Sequence, residues 1–271
     1  MSDQNYTASV RRKIIVGNWK MHTNAAEAAC LARAVVESAG GEGGADVVLC
    51  PPFPYLALVG EILCGSRVAL GAQNLYPEKE GAFTGEVSPT MLLDLGCRYV
   101  ILGHSERRHL LAESDAFVHR KVCSASDAGL AVILCVGETR QQRDAHQTEA
   151  VLDQQLTLGL AGLPADALSL LSIAYEPVWA IGDIAHHTDP AEVQEAHDLV
   201  RNCVSRLFGQ ASAARLVVAY GGGVEPENAA ALLGRQGVDG ALVGGASLDA
   251  DRFIAIIRAG VGAARAEGKT A

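Results

Sequence analysis

Residues 13–22 read KIIVGNWKMH, a short apolar run that ends in a polar turn, and they separate two α/β architectures. Such a run is typical of a strand buried on both faces of a parallel sheet. In an open doubly wound sheet, the turn after an early strand carries the glycine-rich phosphate fingerprint G-x-G-x-x-G. The turn GNWKMH lacks that pattern, so this first unit favours a closed barrel.

Seven further apolar runs follow, and longer segments with helical patterning lie between them. The predicted strands are Lys13–Trp19, Asp46–Cys50, Arg67–Gly71, Tyr99–Gly103, Ala131–Val136, Leu170–Tyr175, Leu216–Tyr220 and Gly240–Val243. The predicted helices include Asn24–Ala39, His146–Leu160, Pro190–Leu207 and one that begins at Pro226. Eight strand–helix units in roughly 250 residues are typical of a (β/α)8 barrel. We predict one barrel domain over residues 13–260, an N-terminal extension over 1–12 and a C-terminal tail over 261–271.

Composition excludes several classes of protein. With 49% hydrophobic and 20% charged residues, the 271-residue chain has enough apolar side chains for a core and is not disordered. A net charge of −9 without a basic stripe argues against nucleic acid or an anionic membrane as partner. No apolar run approaches the ~18 residues that cross a bilayer. We interpret the basic cluster at residues 11–13 as a solvated lead-in to the first strand.

The cysteines indicate a reducing compartment. There are seven, at irregular spacing and without a C-x-x-C motif, which argues against a disulfide framework or a zinc site. The N-terminus also lacks the apolar segment of a secretory signal. We therefore expect a cytoplasmic protein that holds no metal.

Polar residues follow the first and fourth predicted strands, where a barrel places its chemistry. Asn18 and Lys20 lie two residues apart and so share one face of the chain. A lysine there suits a phosphate or a developing oxyanion, although a surface lysine gives the same pattern. His104 precedes a predicted helix start, SERR, whose positive end disfavours imidazolium. We expect a neutral His104 that donates a hydrogen bond, with a structural histidine as the alternative.

Two charged residues of SERR have open roles. Glu106 and Arg107 are either ordinary charges at a helix start, or partners for Lys20 or for another subunit.

The sixth strand ends at a carboxylate. Glu176 precedes Pro177, which cannot pair as a strand residue. A carboxylate at the edge of an apolar barrel suits a general base, and a capping residue is the alternative. Gly182 and the polar stretch after it predict a mobile lid.

Two glycine-rich turns follow the last two strands. They read YGGGV at residues 220–224 and VGGAS at residues 243–247. Backbone N–H groups in such turns form an anion site, and barrels commonly hold phosphate after strands seven and eight. Ordinary turn glycines are the alternative for either motif alone.

Six segments, in the same order, resemble the triosephosphate isomerase family. They are GNWKMH, GAQNLYPEKEGAFTGEVS, ILGHSERR, ILCVGE, AYEPVWAIG and GALVGGAS. The resemblance implies a TIM barrel that interconverts dihydroxyacetone phosphate and D-glyceraldehyde 3-phosphate through an enediolate. It implies no metal and no organic cofactor.

The resemblance also assigns roles to residues of this chain. Glu176 would be the base, His104 would polarise the carbonyl, and Lys20 would stabilise negative charge on the substrate. Asn18 would help to position the site. The implied backbone contacts to phosphate are Gly182, Gly223, Gly244 and Gly245. The residues expected to support the catalytic groups are Ser105, Glu106 and Cys135.

A homodimer is a further implication of the resemblance. Residues 73–86 resemble the loop that this family inserts into a neighbouring subunit. Thr84 would approach the active site of the partner subunit, and Glu86 would approach the partner's Arg107.

Two departures from the family pattern concern the lid. Where the family reads AIGTGKTAT, residues 180–189 read AIGDIAHHTD, and where the family reads YGGS this chain has Gly223 in place of the serine. In the family that serine latches the closed lid, whereas Glu138 and Trp179 match its open-lid hydrogen bond. Two alternatives therefore stay open. One is an isomerase of a larger phosphorylated ketose such as erythrulose phosphate, and the other is a catalytically impaired phosphate-binding homologue.

Overall fold

A computed structural model describes residues 11–39, 43–181 and 188–268, and its eight strands form a closed parallel barrel in sequence order. The strands are β1 Lys13–Asn18, β2 Ala45–Cys50, β3 Ala69–Ala72, β4 Tyr99–Leu102, β5 Ala131–Val136, β6 Leu171–Tyr175, β7 Val217–Tyr220 and β8 Gly240–Val243. The barrel closes where β1 pairs with β8, with Ile14 opposite Gly240. All eight predicted strands are present, and the largest shift in bounds is in β3.

Helices follow the strands around the barrel. Within the described ranges they are α1 Ala25–Ala39, α2 Leu56–Leu63, α3 Pro89–Asp94, α4 Ser105–His109, α5 Asp115–Ala128, α6 Arg140–Asp144, α7 Thr148–Gly159, α8 Pro190–Phe208, α9 Gln210–Arg215, α10 Pro226–Leu233 and α11 Ala250–Ala266. Local signals set their ends: the Asp189 side chain caps α8 by accepting from the N–H of Ala191, and Gly129 ends α5 with a φ of 81°. None of these helices is long and apolar enough to cross a membrane.

The core has two layers because each strand is buried on both faces. Along β1, Ile14 and Val16 pack inside the barrel, whereas Ile15 packs outward in the layer that also contains Phe253 of α11. This double burial explains why the strands are continuous apolar runs rather than alternating ones. The packing holds the carboxyl ends of all eight strands at one end of the barrel, which is where the predicted site residues lie.

The basic cluster at residues 11–13 is not solvated as predicted. Only Arg12 is exposed, and Lys13 is fully buried at the start of β1. Three acceptors lie 2.7–2.9 Å from its Nζ: the carbonyl oxygens of Leu233 and Val238 and the carboxylate of Glu267. Burial lowers the pKa of Lys13 to about 8. The sequence pattern misses this arrangement because the acceptors lie 220 or more residues further along the chain.

Candidate active site

A cavity of about 290 Å³ opens at the carboxyl ends of the strands. Residues that follow β1, β4, β6, β7 and β8 line it, as the barrel geometry predicts. The predicted site residues among them are Asn18, Lys20, His104, Glu176, Gly223, Gly244 and Gly245. Gly182 and the rest of residues 182–187 lie outside the described residues.

Glu176 is the buried carboxylate of this cavity. It follows β6 directly, and only 2% of its surface is exposed. The backbone N–H of Ser105 donates to Oε2 at 2.9 Å. Nε2 of His104 lies 3.1 Å from Oε1 but is not aligned for a hydrogen bond, so Oε1 has no hydrogen-bond partner among the described residues. The carboxylate therefore keeps one oxygen free to accept a proton.

His104 links the carboxylate to the start of α4. It is the N-cap of that helix, and its Nδ1 accepts a hydrogen bond from the backbone N–H of Glu106 at 3.3 Å. Because an accepting Nδ1 carries no proton, the proton of a neutral ring belongs on Nε2, the nitrogen beside Glu176.

Lys20 is held in an uncommon backbone conformation after β1. Its φ is 52°, in the left-handed region that side-chain-bearing residues seldom adopt. The side-chain oxygen of Asn18 accepts from the N–H of Lys20 at 3.0 Å, and Nε2 of Gln73 donates to its carbonyl at 2.8 Å. The ammonium group lies 2.6 Å from Oε1 of Glu106. Sequence reasoning missed the role of Gln73, whose only signal is its place just after β3.

The two glycine turns leave space around the carboxylate. A Cβ on Gly221 would lie 2.7 Å from Cγ of Glu176, so glycine is needed there. Among the described residues, the nearest neighbour of a Cβ on Gly223 would be the carbonyl oxygen of Ala180, at an ordinary 3.6 Å. The described residues therefore leave room for a Cβ at position 223, where the family has serine.

Hydrogen bonds fix the chain on both sides of residues 182–187. The hydroxyl of Tyr175 and Nε1 of Trp179 donate to the buried carboxylate of Glu138 at 3.1 Å, which includes the predicted Glu138–Trp179 bond. Burial, and then the charge of Glu138, raise the pKa of the Tyr175 hydroxyl. On the far side, the Tyr220 hydroxyl donates to Oγ1 of Thr188 at 2.9 Å.

Cys135, predicted as a supporting residue, lies close enough to Glu176 for the carboxylate charge to act on its thiol. It is fully buried on β5, and burial followed by the charge of Glu176 raises the pKa of its thiol. Arg108 donates to the carbonyl oxygens of Cys135, at 3.2 Å, and of Gly103, at 2.7 Å. Sequence reasoning missed Arg108, whose only signal was its place in SERR.

The predicted interface residues lie away from the lining of the cavity. Thr84 and Glu86 are exposed in the loop between β3 and α3. Nε of Arg107 lies 2.7 Å from Oε1 of Glu113 in the same chain.

Comparison with known proteins decides the family. The family model described as triosephosphate isomerase matches residues 13–260. The chain belongs to the triosephosphate isomerase family. Proteins named triosephosphate isomerase from Syntrophotalea carbinolica and Chlorobium phaeobacteroides are each 50% identical to it, over 92% and 93% of this chain and 98% and 100% of theirs. One from Chloroflexus aurantiacus is 48% identical over 92% of this chain and 99% of its own.

Membership in the triosephosphate isomerase family confirms three predictions. They are the family itself, the single TIM barrel and the enzyme class, an aldose–ketose isomerase among the intramolecular oxidoreductases.

Proposed function

We propose that this chain interconverts dihydroxyacetone phosphate and D-glyceraldehyde 3-phosphate through an enediolate. One observation carries the proposal: Glu176, His104 and Lys20 line the same cavity of about 290 Å³. A carboxylate with a free oxygen, a neutral imidazole and an ammonium group are the base, the hydrogen-bond donor and the cation that this proton transfer requires.

Each side chain has a distinct role in the proposed reaction. Glu176 removes a proton from the carbon next to the substrate carbonyl and returns it to the neighbouring carbon. Nε2–H of His104 donates to the carbonyl oxygen and moves protons between the two oxygens. The ammonium group of Lys20 stabilises the negative charge that develops on the substrate. Asn18 and Ser105 position these groups through their hydrogen bonds to Lys20 and Glu176.

The phosphate group would bind at the glycine turns. Gly223 follows β7, and Gly244 and Gly245 open the short 3-10 turn after β8, so backbone N–H groups of both turns line one cavity. Gly182 would add a contact from the lid. As the family resemblance implies, we expect no metal or organic cofactor, and a chelator should leave turnover unchanged.

Steady-state assays with three- and four-carbon substrates test this proposal. Turnover of the triose phosphates that is lost in Glu176→Gln supports it, because the amide cannot act as a base. Faster turnover of erythrulose phosphate would favour the larger ketose instead. Phosphate binding without turnover of either substrate would identify an impaired homologue.

We propose further that two copies of the chain form a homodimer. Apolar side chains next to the site residues are strongly exposed: Met21 is 93% exposed, Leu110 78% and Leu111 60%. Large apolar side chains exposed to this degree favour a protein interface. Thr84 and Glu86 would dock against the partner subunit, with Glu86 next to the partner's Arg107. A packed ring pair, Tyr76 and Phe83 at 4.4 Å, supports the inserted loop.

Shortening residues 78–86 tests the dimer. We expect monomers with little activity, because Thr84 would support the site of the other chain. Sedimentation of the wild-type chain at assay concentration provides the reference, and a fully active wild-type monomer would contradict the proposal.

We propose a cytoplasmic location on the basis of the thiols. All seven cysteines are unpaired, and Cys30 and Cys64 are exposed, which suits a reducing compartment. Fractionation of the source cells tests this, and recovery in an oxidising compartment would contradict it.

A further inference from the structure

The described residues place two cations on the lining of the cavity, and each is paired with a carboxylate. Lys20 pairs with Glu106, and Nη2 of Arg252 lies 2.5 Å from Oε2 of Glu225. The proposed reaction gives a role to Lys20 but none to Arg252 or Glu225, although both of these also line the cavity.

The second ion pair joins the two turns that would hold the phosphate. Glu225 comes two residues after Gly223 and is the N-cap of α10. Arg252 lies in the first turn of α11, where its backbone N–H donates to the side chain of Asp249 at 3.0 Å. The charges of the pair therefore lie beside the turns that follow β7 and β8.

A side-chain amide fixes the position of Glu225. Nδ2 of Asn228 donates to the carbonyl of Gly223 at 2.9 Å, and its Oδ1 accepts from the N–H of Glu225 at 2.9 Å. The side chain of Glu225 is 15% exposed and that of Arg252 is 46% exposed. The carboxylate is thus held next to the glycine turn after β7, whereas the guanidinium is partly in solvent.

We propose that Arg252 is a phosphate-attracting residue of this site and that Glu225 restrains it. A bound phosphate carries about two negative charges, so an adjacent guanidinium attracts it and an adjacent carboxylate repels it. The ion pair thereby sets the affinity of the cavity for phosphorylated ligands. This inference rests on the proposed function only in that the ligand carries a phosphate.

A purely mechanical role predicts a different result. If the pair only holds the two turns together, Arg252→Gln and Glu225→Gln break the same contact and must change affinity in the same direction. If the charges act on the phosphate, Arg252→Gln weakens binding and Glu225→Gln strengthens it. The two variants therefore separate the explanations by the sign of the effect.

The experiment titrates inorganic phosphate and glycerol 3-phosphate, which has no carbonyl to isomerise, into the full-length chain by calorimetry. At low salt we expect about 3- to 10-fold weaker binding for Arg252→Gln and about 3-fold tighter binding for Glu225→Gln. Both shifts should shrink at high salt because exposed charges are screened. Arg252→Lys should stay within about twofold of wild type, since it keeps the charge.

Kinetics and a matched control complete the test. In assays, KM should follow the same signs while kcat changes little, because the phosphate is bound equally in the ground and transition states. Arg206 forms an exposed ion pair with Asp153, and neither residue lines the cavity. Arg206→Gln should therefore change neither the affinity for phosphate nor KM. Shifts of the same sign in both variants, or an equal shift in the control, would overturn the inference. Opposite shifts in a chain without turnover would refute only the proposed function.

Discussion

Two carboxylates at opposite ends of the barrel are equally buried and differently bonded. Glu176, after β6, is 2% exposed and Asp239, before β8, is 1% exposed. Glu176 accepts one aligned hydrogen bond, which leaves Oε1 without a partner among the described residues. Asp239 accepts on both oxygens, from the guanidinium groups of Arg11 and Arg201 and from the N–H of Val218. The difference teaches that burial alone does not distinguish a reactive carboxylate from a structural one.

The number of donors has a chemical consequence. An anion bonded to two guanidinium groups loses both interactions when it takes up a proton. Oε1 of Glu176 has no hydrogen-bond partner among the described residues, so it has no such interaction to lose. Under the proposed function the carboxylate with fewer donors serves proton transfer, whereas the bonds of Asp239 join Arg11, Arg201 and β7.

The largest expected effect comes from replacing Asp239, the structural carboxylate of this comparison. Asp239→Asn would leave the half-buried Arg11 and Arg201 without their buried anion, and breaking a buried ion pair costs about 3–5 kcal/mol of the free energy of unfolding. Urea unfolding measures the loss, while kcat per folded molecule should stay unchanged. As a control, Asp153→Asn breaks the exposed ion pair with Arg206 and should lower the free energy of unfolding by less than about 1 kcal/mol. Equal losses in the two variants would contradict the distinction.

A buried histidine near Asp239, His197, makes the free energy of unfolding depend on pH. Nδ1 of His197 lies 3.1 Å from the carbonyl oxygen of Gly237. Burial lowers its pKa from 6.5 to about 4, against the opposing effects of the Gly237 hydrogen bond and the Asp239 charge and with smaller contributions from Arg201 and Lys13. The unfolded chain then binds more protons between those values, so stability is lost as pH falls from 6.5 through 4, by about 3 kcal/mol.

Replacing this histidine tests the effect. His197→Asn keeps a donor toward the Gly237 carbonyl but does not titrate, so its unfolding free energy should fall less between pH 6.5 and pH 4, by about 3 kcal/mol. The matched control is His146→Asn, because His146 is exposed and its φ of 56° suits asparagine. If the free energy of unfolding of His197→Asn falls between pH 6.5 and pH 4 by as much as that of the wild type, this histidine is not the cause of the loss.

The matching test of Glu176 displaces its carboxylate and keeps the charge. Glu176→Asp retracts the carboxylate by about one methylene, and misplacements near 1 Å cost about a hundredfold in rate. We expect that loss in kcat, with little change in KM or in the free energy of unfolding. Glu149→Asp makes the same change on an exposed residue of α7 and should have no effect. A Glu176→Asp enzyme with unimpaired kcat would remove Glu176 from the mechanism.

The smallest expected effect concerns Gly223. A serine fits there and would restore one latch hydrogen bond, which is worth about 0.5–1.5 kcal/mol. Gly223→Ser and a family-type TGKTAT lid should together raise kcat more than the sum of their separate effects, because both belong to one latch. A double-mutant cycle on kcat, with methylglyoxal followed as by-product, measures this. Strict additivity, or wild-type turnover already at the diffusional limit, would refute the shared latch.

The sequence predicts the catalytic end of the barrel better than the amino end. Lys20, His104 and Glu176 each follow an apolar run, and parallel strands bring all carboxyl ends together, so local patterns suffice. The partners of Asp239 and Lys13 lie far along the chain, and Arg11 and Asp239 are 228 positions apart in sequence. Polar contacts between such distant residues follow from tertiary packing rather than from sequence periodicity. For this reason the prediction of a solvated basic cluster at residues 11–13 is wrong.

The left-handed backbone of Lys20 places a limit on engineering this protein. Glycine or asparagine would adopt its φ of 52° with less strain, so a selection for heat resistance alone would favour replacing it. The same replacement would remove the ammonium group from the cavity and with it the proposed charge stabilisation. Directed evolution that screens only for stability would therefore replace Lys20 and lower turnover. A screen for both stability and turnover would keep the strained lysine.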